Sequence, residues 1–312
     1  MTKANTSRPM VVLALLAVYF IWGSTYLGMR FGLEGFPPFL LNGFRFFLAG
    51  AIFFIILKVR GKATATRRQW WNAARIGLLL LVFGVGLVTV AEDLGVGSGI
   101  AATAIAVTPV WIALTSGLFG DWPHRREWIG LAVGLAGVLF LAQEGDFQTS
   151  PLGMALIVIS PIIWAFGSIW GSKLDLPAAS MTTTIELLTA GVVMTLIGPL
   201  IGERITQSPP AVAWAALGYL AIMGSLAGFT AYVYLLSTVR PALATSYAYV
   251  NPVVAVALGL SLGGETITGP VFIALPLILI GVAMVATNQR RGATDTTSDS
   301  PPSLEVDREE AA

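Results

Sequence analysis

The chain has 312 residues, 55% of them hydrophobic and only 11% charged, with a net charge of +1 and a mean hydropathy of +0.78. A soluble domain carries roughly 25% charged residues, so too little polar surface exists here to cover a soluble globule, and the solvent must be lipid. The near-zero charge argues for neither nucleic acid nor an acidic partner, the lack of cysteine excludes disulfides and thiolate metal sites, and the single histidine, His124, cannot build a histidine metal cluster.

A bilayer core about 30 Å thick needs about 20 apolar residues per helix. Ten such runs are predicted, at residues 10–29, 38–58, 73–92, 96–118, 126–142, 151–172, 179–201, 213–236, 240–262 and 269–288. The first follows Lys3 and Arg8, as a signal peptide would. It outruns the usual apolar region of about 7–15 residues and no A-x-A site follows it, so a retained span is expected. Turn residues mark several connections: Glu34-Gly35-Phe36-Pro37-Pro38, Gly120-Asp121-Trp122-Pro123, Ser208-Pro209-Pro210 and Gly263-Gly264. The stretch 289–312 is rich in Thr, Ser, Pro and acidic residues and is expected to be a disordered cytoplasmic tail.

One pattern runs through the chain twice. Trp22 recurs as Trp164, and Phe44 to Gly50 recurs as Ile185 to Gly191. Thr108-Pro109-Val110 recurs as Asn251-Pro252-Val253, and Ala136-Gly137-Val138 as Ile280-Gly281-Val282, with offsets of 141 to 144 residues. The expected fold is therefore an all-α polytopic membrane protein built from two five-helix repeats, residues 10–142 and 151–288, around a central cavity. Five is odd, so the second repeat must enter the bilayer from the opposite side and the two are inverted copies. Lys and Arg are retained on the cytoplasmic side. With the N-terminus inside, 15 of the 18 Lys and Arg fall on cytoplasmic segments, leaving Arg30 and Arg204 outside and Arg45 within a span. Both termini are expected in the cytoplasm, and the bacterial inner membrane is the expected location.

Two charges lie deep in apolar spans, Arg45 and Glu186, at equivalent positions of the two repeats. A charge at the centre of a membrane helix costs about 2.5–3.5 kcal/mol on insertion scales, so it usually faces a partner or water. Substrate contact, a gate or proton coupling is one reading, and an interfacial anchor is the other. Glu186 is the acidic residue deepest in a span and is the coupling candidate. Trp22 and Trp164 sit mid-span, followed by Ser24 and Tyr26 in one repeat and Ser168 in the other; they are candidate cavity walls or simple packing residues. Pro109 and Pro252 each free a backbone carbonyl and kink their helix, with Thr108 and Asn251 beside them as polar groups. Tyr247 shares a helix face with Asn251. Glu92 shares a face with Thr89 and is a candidate for an outer vestibule, whereas Asp93 suits a solvated helix end. Tyr232 and Tyr234 occupy the related region of the second repeat. The small residues around Gly95, Gly97 and Gly99, and the series Gly130, Gly134 and Gly137, permit close helix packing. No nucleotide fingerprint, metal cluster or catalytic constellation is present, so neither a cofactor nor an enzymatic activity is expected.

Trp22-Gly23-Ser24-Thr25-Tyr26 through Phe44-Arg45-Phe46, the outer Ala91-Glu92-Asp93 and the Thr108-Pro109 span resemble an EamA-type member of the drug/metabolite transporter superfamily, over residues 10–288. The resemblance implies ten helices around a central cavity and export or exchange of small metabolites, often amino acids. The chain departs from that family at Asn251, where members often carry an acidic residue. Gly264-Glu265 keeps a common Gly-Glu pair, which Gly120-Asp121 replaces in the first repeat. The expected function is a secondary transporter with a small-molecule substrate and the lipid bilayer as partners. A membrane scaffold without a permeation path and a lipid-carrier flippase are the alternatives.

Overall fold

Apolar runs bounded by Gly and Pro become helices throughout, and no strand occurs among the described residues. The computed structural model describes residues 8–62, 64–120, 122, 125–141, 150–238, 247–266 and 269–295. In chain order the helices are α1 (Arg8–Leu33), α2 (Pro38–Val59), α3 (Arg67–Gly77), α4 (Gly86–Asp93), α5 (Ser98–Ile105), α6 (Thr108–Leu118), α7 (Arg125–Leu141), α8 (Pro151–Gly171), α9 (Ala179–Leu200), α10 (Ala211–Tyr219), α11 (Gly228–Thr238), α12 (Tyr247–Ser261) and α13 (Gly269–Asp295). A π-helical segment, Leu78–Val85, joins α3 to α4 in one rod, and a second, Leu220–Ala227, joins α10 to α11. The second π segment is displaced from the first by 142 residues at both ends, the offset of the sequence repeat.

Seven helical rods among the described residues are long and apolar enough to cross a membrane: Arg8–Leu33, Pro38–Val59, Arg67–Asp93, Ser98–Leu118, Pro151–Gly171, Ala179–Leu200 and Ala211–Leu235. The other three expected spans correspond to shorter apolar stretches, Trp128–Gly137, Val250–Ser261 and Gly269–Gly281. The expected tail needs one correction. α13 continues past residue 288 to Asp295, because Gln289, Arg290 and Arg291 are good helix formers. Residues 296–312 lie outside the described part, as do 142–149, 239–246, Asp121 and His124.

The connections gather at two ends. At one, Gln69 Nε2 donates to Asp175 Oδ1 at 3.1 Å and Asn72 Nδ2 to Asp175 O at 2.9 Å, tying the start of α3 to the chain after α8. At the other, Glu203, beyond the end of α9, caps α2. Its two carboxylate oxygens accept the Phe39 and Leu40 backbone N–H groups at 2.9 and 3.0 Å. Pro37 and Pro38 offer no side-chain cap, and the first N–H groups of a helix need an acceptor, preferably an anionic one.

Lipid tails are as apolar as leucine, so close backbone approach must supply much of the attraction between helices. Glycine makes that approach possible here. A Cβ on Gly191 of α9 would strike the Phe47 backbone of α2, and a Cβ on Gly50 of α2 would lie 2.8 Å from the Leu188 nitrogen of α9. Gly50 and Gly191 are repeat mates, as are Phe47 and Leu188, so each contact has its counterpart. The same reciprocity joins α7 and α13: Gly137 would meet Ile278 at 2.7 Å, and Gly281 would meet Gly134, the repeat mate of Ile278, at 2.6 Å.

Replacing Gly191 by alanine should therefore force α2 and α9 apart and lower stability by about 1–3 kcal/mol, the usual cost of overpacking. Gly218, with nothing near its missing Cβ, should accept alanine without loss. Thermal unfolding of the two variants in one detergent checks the difference.

Candidate functional site

Breaks in helix geometry position the polar groups inside the bundle. Pro109 cannot donate to the Ile105 carbonyl, and the Thr108 hydroxyl takes that carbonyl instead at 2.5 Å, where α5 gives way to α6. In the first π segment the Gly84 carbonyl accepts from Ser160 Oγ of α8 at 3.0 Å. In the second, the Gly224 carbonyl accepts from Trp22 Nε1 of α1 at 3.1 Å. Each π segment thus receives a side chain from the first helix of the other repeat.

The second π segment is also where Arg45 ends. Its Nε donates to Ser225 Oγ at 3.0 Å, its guanidinium carbon lies 4.9 Å from the Phe46 ring centre, and Nη1 is enclosed with no hydrogen-bond partner. Trp22 and Arg45 therefore meet on adjacent residues of one helix turn. Around Trp22 stand Phe229, Tyr232 and Tyr247, with ring centres 5.3, 5.0 and 4.9 Å away, and Tyr232 and Tyr247 are 5.6 Å apart. Glu186 is half-buried beside Gly77, at the end of α3, and among the described residues has neither an ion pair nor a hydrogen bond. Arg45 and Glu186, mates in the repeat, are not paired with each other.

A second group of charges closes the end that carries Glu203. Glu265, in the connection after α12, caps α5. Oε1 accepts the Ser98 N–H at 2.7 Å and its hydroxyl at 2.6 Å, and Oε2 accepts the Gly99 N–H at 3.1 Å. Arg30 Nη1 lies 2.6 Å from Glu265 Oε1. Partial burial pushes the Glu265 carboxyl up, but donations from Ser98, Gly99 and Arg30 outweigh it and hold it below the usual carboxylate range. Arg30, Glu92, Ile100 and Glu265 line a cavity of about 240 Å³ at this end. Glu92 is only 7% exposed.

Several expected site residues prove to be occupied by their own helix. Ser24 Oγ donates to Ile21 O at 2.8 Å and lies 2.6 Å from the Tyr219 hydroxyl. Ser168 Oγ donates to Trp164 O at 2.8 Å. Trp164 packs on Gly84 rather than joining the Trp22 group. Asn251, with its amide nitrogen turned to the available carbonyls, donates to Tyr19 O at 3.1 Å and Tyr247 O at 3.2 Å. Pro252 lies within α12, and Tyr26 packs against the main core cluster. The structure brings together Trp22, Arg45, Tyr232 and Tyr247, and separately Glu92 with Arg30 and Glu265. Ser225 and Phe229 were missed, because their part in the site depends on a π segment that has no local sequence signature. Glu265 stood out as half of a Gly-Glu pair, but its role as a cap depends on a partner 167 residues away.

An all-helical chain in lipid, with matched repeats and polar groups collected where helices break, is the architecture of a membrane transporter. The chain belongs to the EamA-like transporter family, whose model matches residues 9–143 and again residues 151–287. It is 47% identical over 272 residues to the "Uncharacterized inner membrane transporter YedA" of Escherichia coli strain K12, spanning 87% of this chain and 89% of that protein. It is 26% identical over 292 residues to a "Probable amino-acid metabolite efflux pump" of the same organism, spanning 88% and 94%. A solved structure titled "Crystal structure of protein" superposes with a TM-score of 0.64 at 20% identity, over 90% of this chain and 99% of that one, and shares the fold.

The Glu265 cap should be visible in a stability profile. Its folded value lies below that of the free side chain, so the stability it adds is present above the ordinary glutamate range and disappears as pH falls through the lowered value. Glu265→Gln should cost about 1 kcal/mol at neutral pH, the scale of a lost helix cap. The melting curves of mutant and parent should converge in acid.

Proposed function

We propose that the protein is a secondary transporter that exports or exchanges a small amphipathic metabolite, such as an amino acid, by alternating access. The two moving parts are inverted five-helix repeats, residues 10–142 and 151–288, with ten helices in all and both termini in the cytoplasm. The observation that carries this reading is the reciprocity of the glycine contacts: Gly50 on Leu188 with Gly191 on Phe47, and Gly137 on Ile278 with Gly281 on Gly134. Reciprocal contacts of this kind are what a twofold relation between repeats produces. Short apolar stretches at Trp128–Gly137, Val250–Ser261 and Gly269–Gly281 take the remaining places among the ten.

The groups left unpaired support a substrate class. Arg45 has an enclosed guanidinium nitrogen that a substrate carboxylate would satisfy once the halves separate, Glu186 has no counter-charge among the described residues, and Trp22, Tyr232 and Tyr247 offer aromatic surface between polar atoms. The name of the E. coli efflux pump points to the same class.

Purified protein in liposomes should show saturable flux of at least one amino acid or similar metabolite; a broad panel without flux would reject the reading. Glu186→Gln should flatten the pH dependence of that flux, and an unchanged profile at normal protein levels would remove Glu186 from the coupling. The chain has no native cysteine, so single cysteines at Ser168 and Asn251 report on the path directly. A scaffold without a permeation path would leave both inaccessible from water.

A further inference from the structure

At the end closed by Glu265, one carboxyl group has no hydrogen-bond or ion-pair partner among the described residues. Glu92 lies in the last turn of α4 with both oxygens enclosed and no hydrogen-bond donor on either. Among the described residues no ion pair reaches it. Charged and titratable groups do face it: Tyr26 and Arg30 from α1, Arg45 from α2, and Glu265 from the connection before α13. The other elements packed on α4, namely α5, α8 and the first π segment, contain no titratable side chain. Neither guanidinium lies within ion-pair distance of it: Arg30 pairs with Glu265 at 2.6 Å, and Arg45 donates through Nε to Ser225 at 3.0 Å while its Nη1 stays unbonded.

An ionised carboxylate enclosed without a donor costs several kcal/mol, and such a group is neutralised rather than left charged. What neutralises it is restricted by space. Neither oxygen has surface that water or a metal ion can touch, and a proton is the one cation that requires no volume.

We propose that Glu92 is a proton-binding site tied to the Arg30–Glu265 pair, holding a proton while that pair is closed and releasing it to water when the pair opens. Arg30 and Glu92 line the same cavity, so an arginine released by Glu265 becomes the counter-charge of the newly ionised Glu92. Two carboxyl groups thus alternate as partners of one guanidinium, and closing this end takes up a proton. The inference rests on the alternating-access reading and adds a coupling ion to it, at a residue distinct from Glu186.

Two measurements on purified, substrate-free protein test it. The infrared spectrum at neutral pH should contain a carboxylic-acid carbonyl band that shifts in D₂O, is lost in Glu92→Gln and survives in Glu186→Gln. A Glu92→Gln spectrum identical to the parent overturns the proposal. A cysteine at Ile100, a buried residue of the cavity wall, should then react with a membrane-impermeant thiol reagent faster as pH rises. The slope, normalised to a cysteine at exposed Ser208, should approach about tenfold per pH unit, the limit for one linked proton. In Glu92→Gln that slope should vanish, and the same slope in parent and mutant also overturns the proposal. Glu92→Met replaces Gln in both arms if Gln impairs folding. Because neither readout needs a substrate, a negative result leaves the transport reading intact, and an absence of flux leaves this site intact.

Discussion

The structure depends on backbone-to-backbone contact between helices that have no hydrophobic reason to associate. In water, burying a leucine stripe drives helices together, whereas in lipid that gain disappears and shape decides. Gly43, Gly50 and Gly191 let α2 and α9 approach until no Cβ fits between them, and Gly137 and Gly281 do the same for α7 and α13. Large apolar side chains can then face outward, as Leu200, Leu118 and Phe272 do. Glycines sit where two helices touch backbone to backbone, and large side chains such as Phe36, Phe46 and Met194 fill the interior beside those contacts.

The polar chemistry is placed by the same economy of backbone groups. A membrane helix can break only where something else satisfies the freed carbonyl. Thr108 serves Ile105, Ser160 serves Gly84, and Trp22 serves Gly224. The two π segments each bring a side chain from elsewhere to a defined point, and Arg45 is drawn to the turn that holds Trp22. Helix starts at the opposite end follow a related rule, with Glu203 and Glu265 each crossing the fold to cap a helix that has no adequate cap of its own.

Much of this could be read from the amino-acid order. Hydropathy alone located the apolar runs, because lipid imposes composition on every residue that faces it. The echo of Gly50 in Gly191 was legible because a missing side chain is a steric requirement that no other residue meets. Long-range partnerships were less so. Nothing near Glu265 in sequence announces Ser98, and Arg45 gave no sign of Ser225. Thr108, Ser24 and Ser168 looked available as ligands, yet their hydroxyls return to their own backbone within three or four residues, a habit of Ser and Thr in helices.

The paired π segments also bear on how the third helix of each repeat is read. A π turn holds more residues than an α turn, so side chains on its far side emerge at a different angle from those on its near side. A wheel drawn through Arg67–Asp93 at a constant 3.6 residues per turn therefore assigns faces wrongly beyond Val85. Asn72, fastened at one end, and Glu92, enclosed at the other, are set in phase by those eight residues rather than by their spacing in the chain. The length of the π segment fixes the angle between the two ends, and removing a single residue from it would rotate one membrane surface against the other.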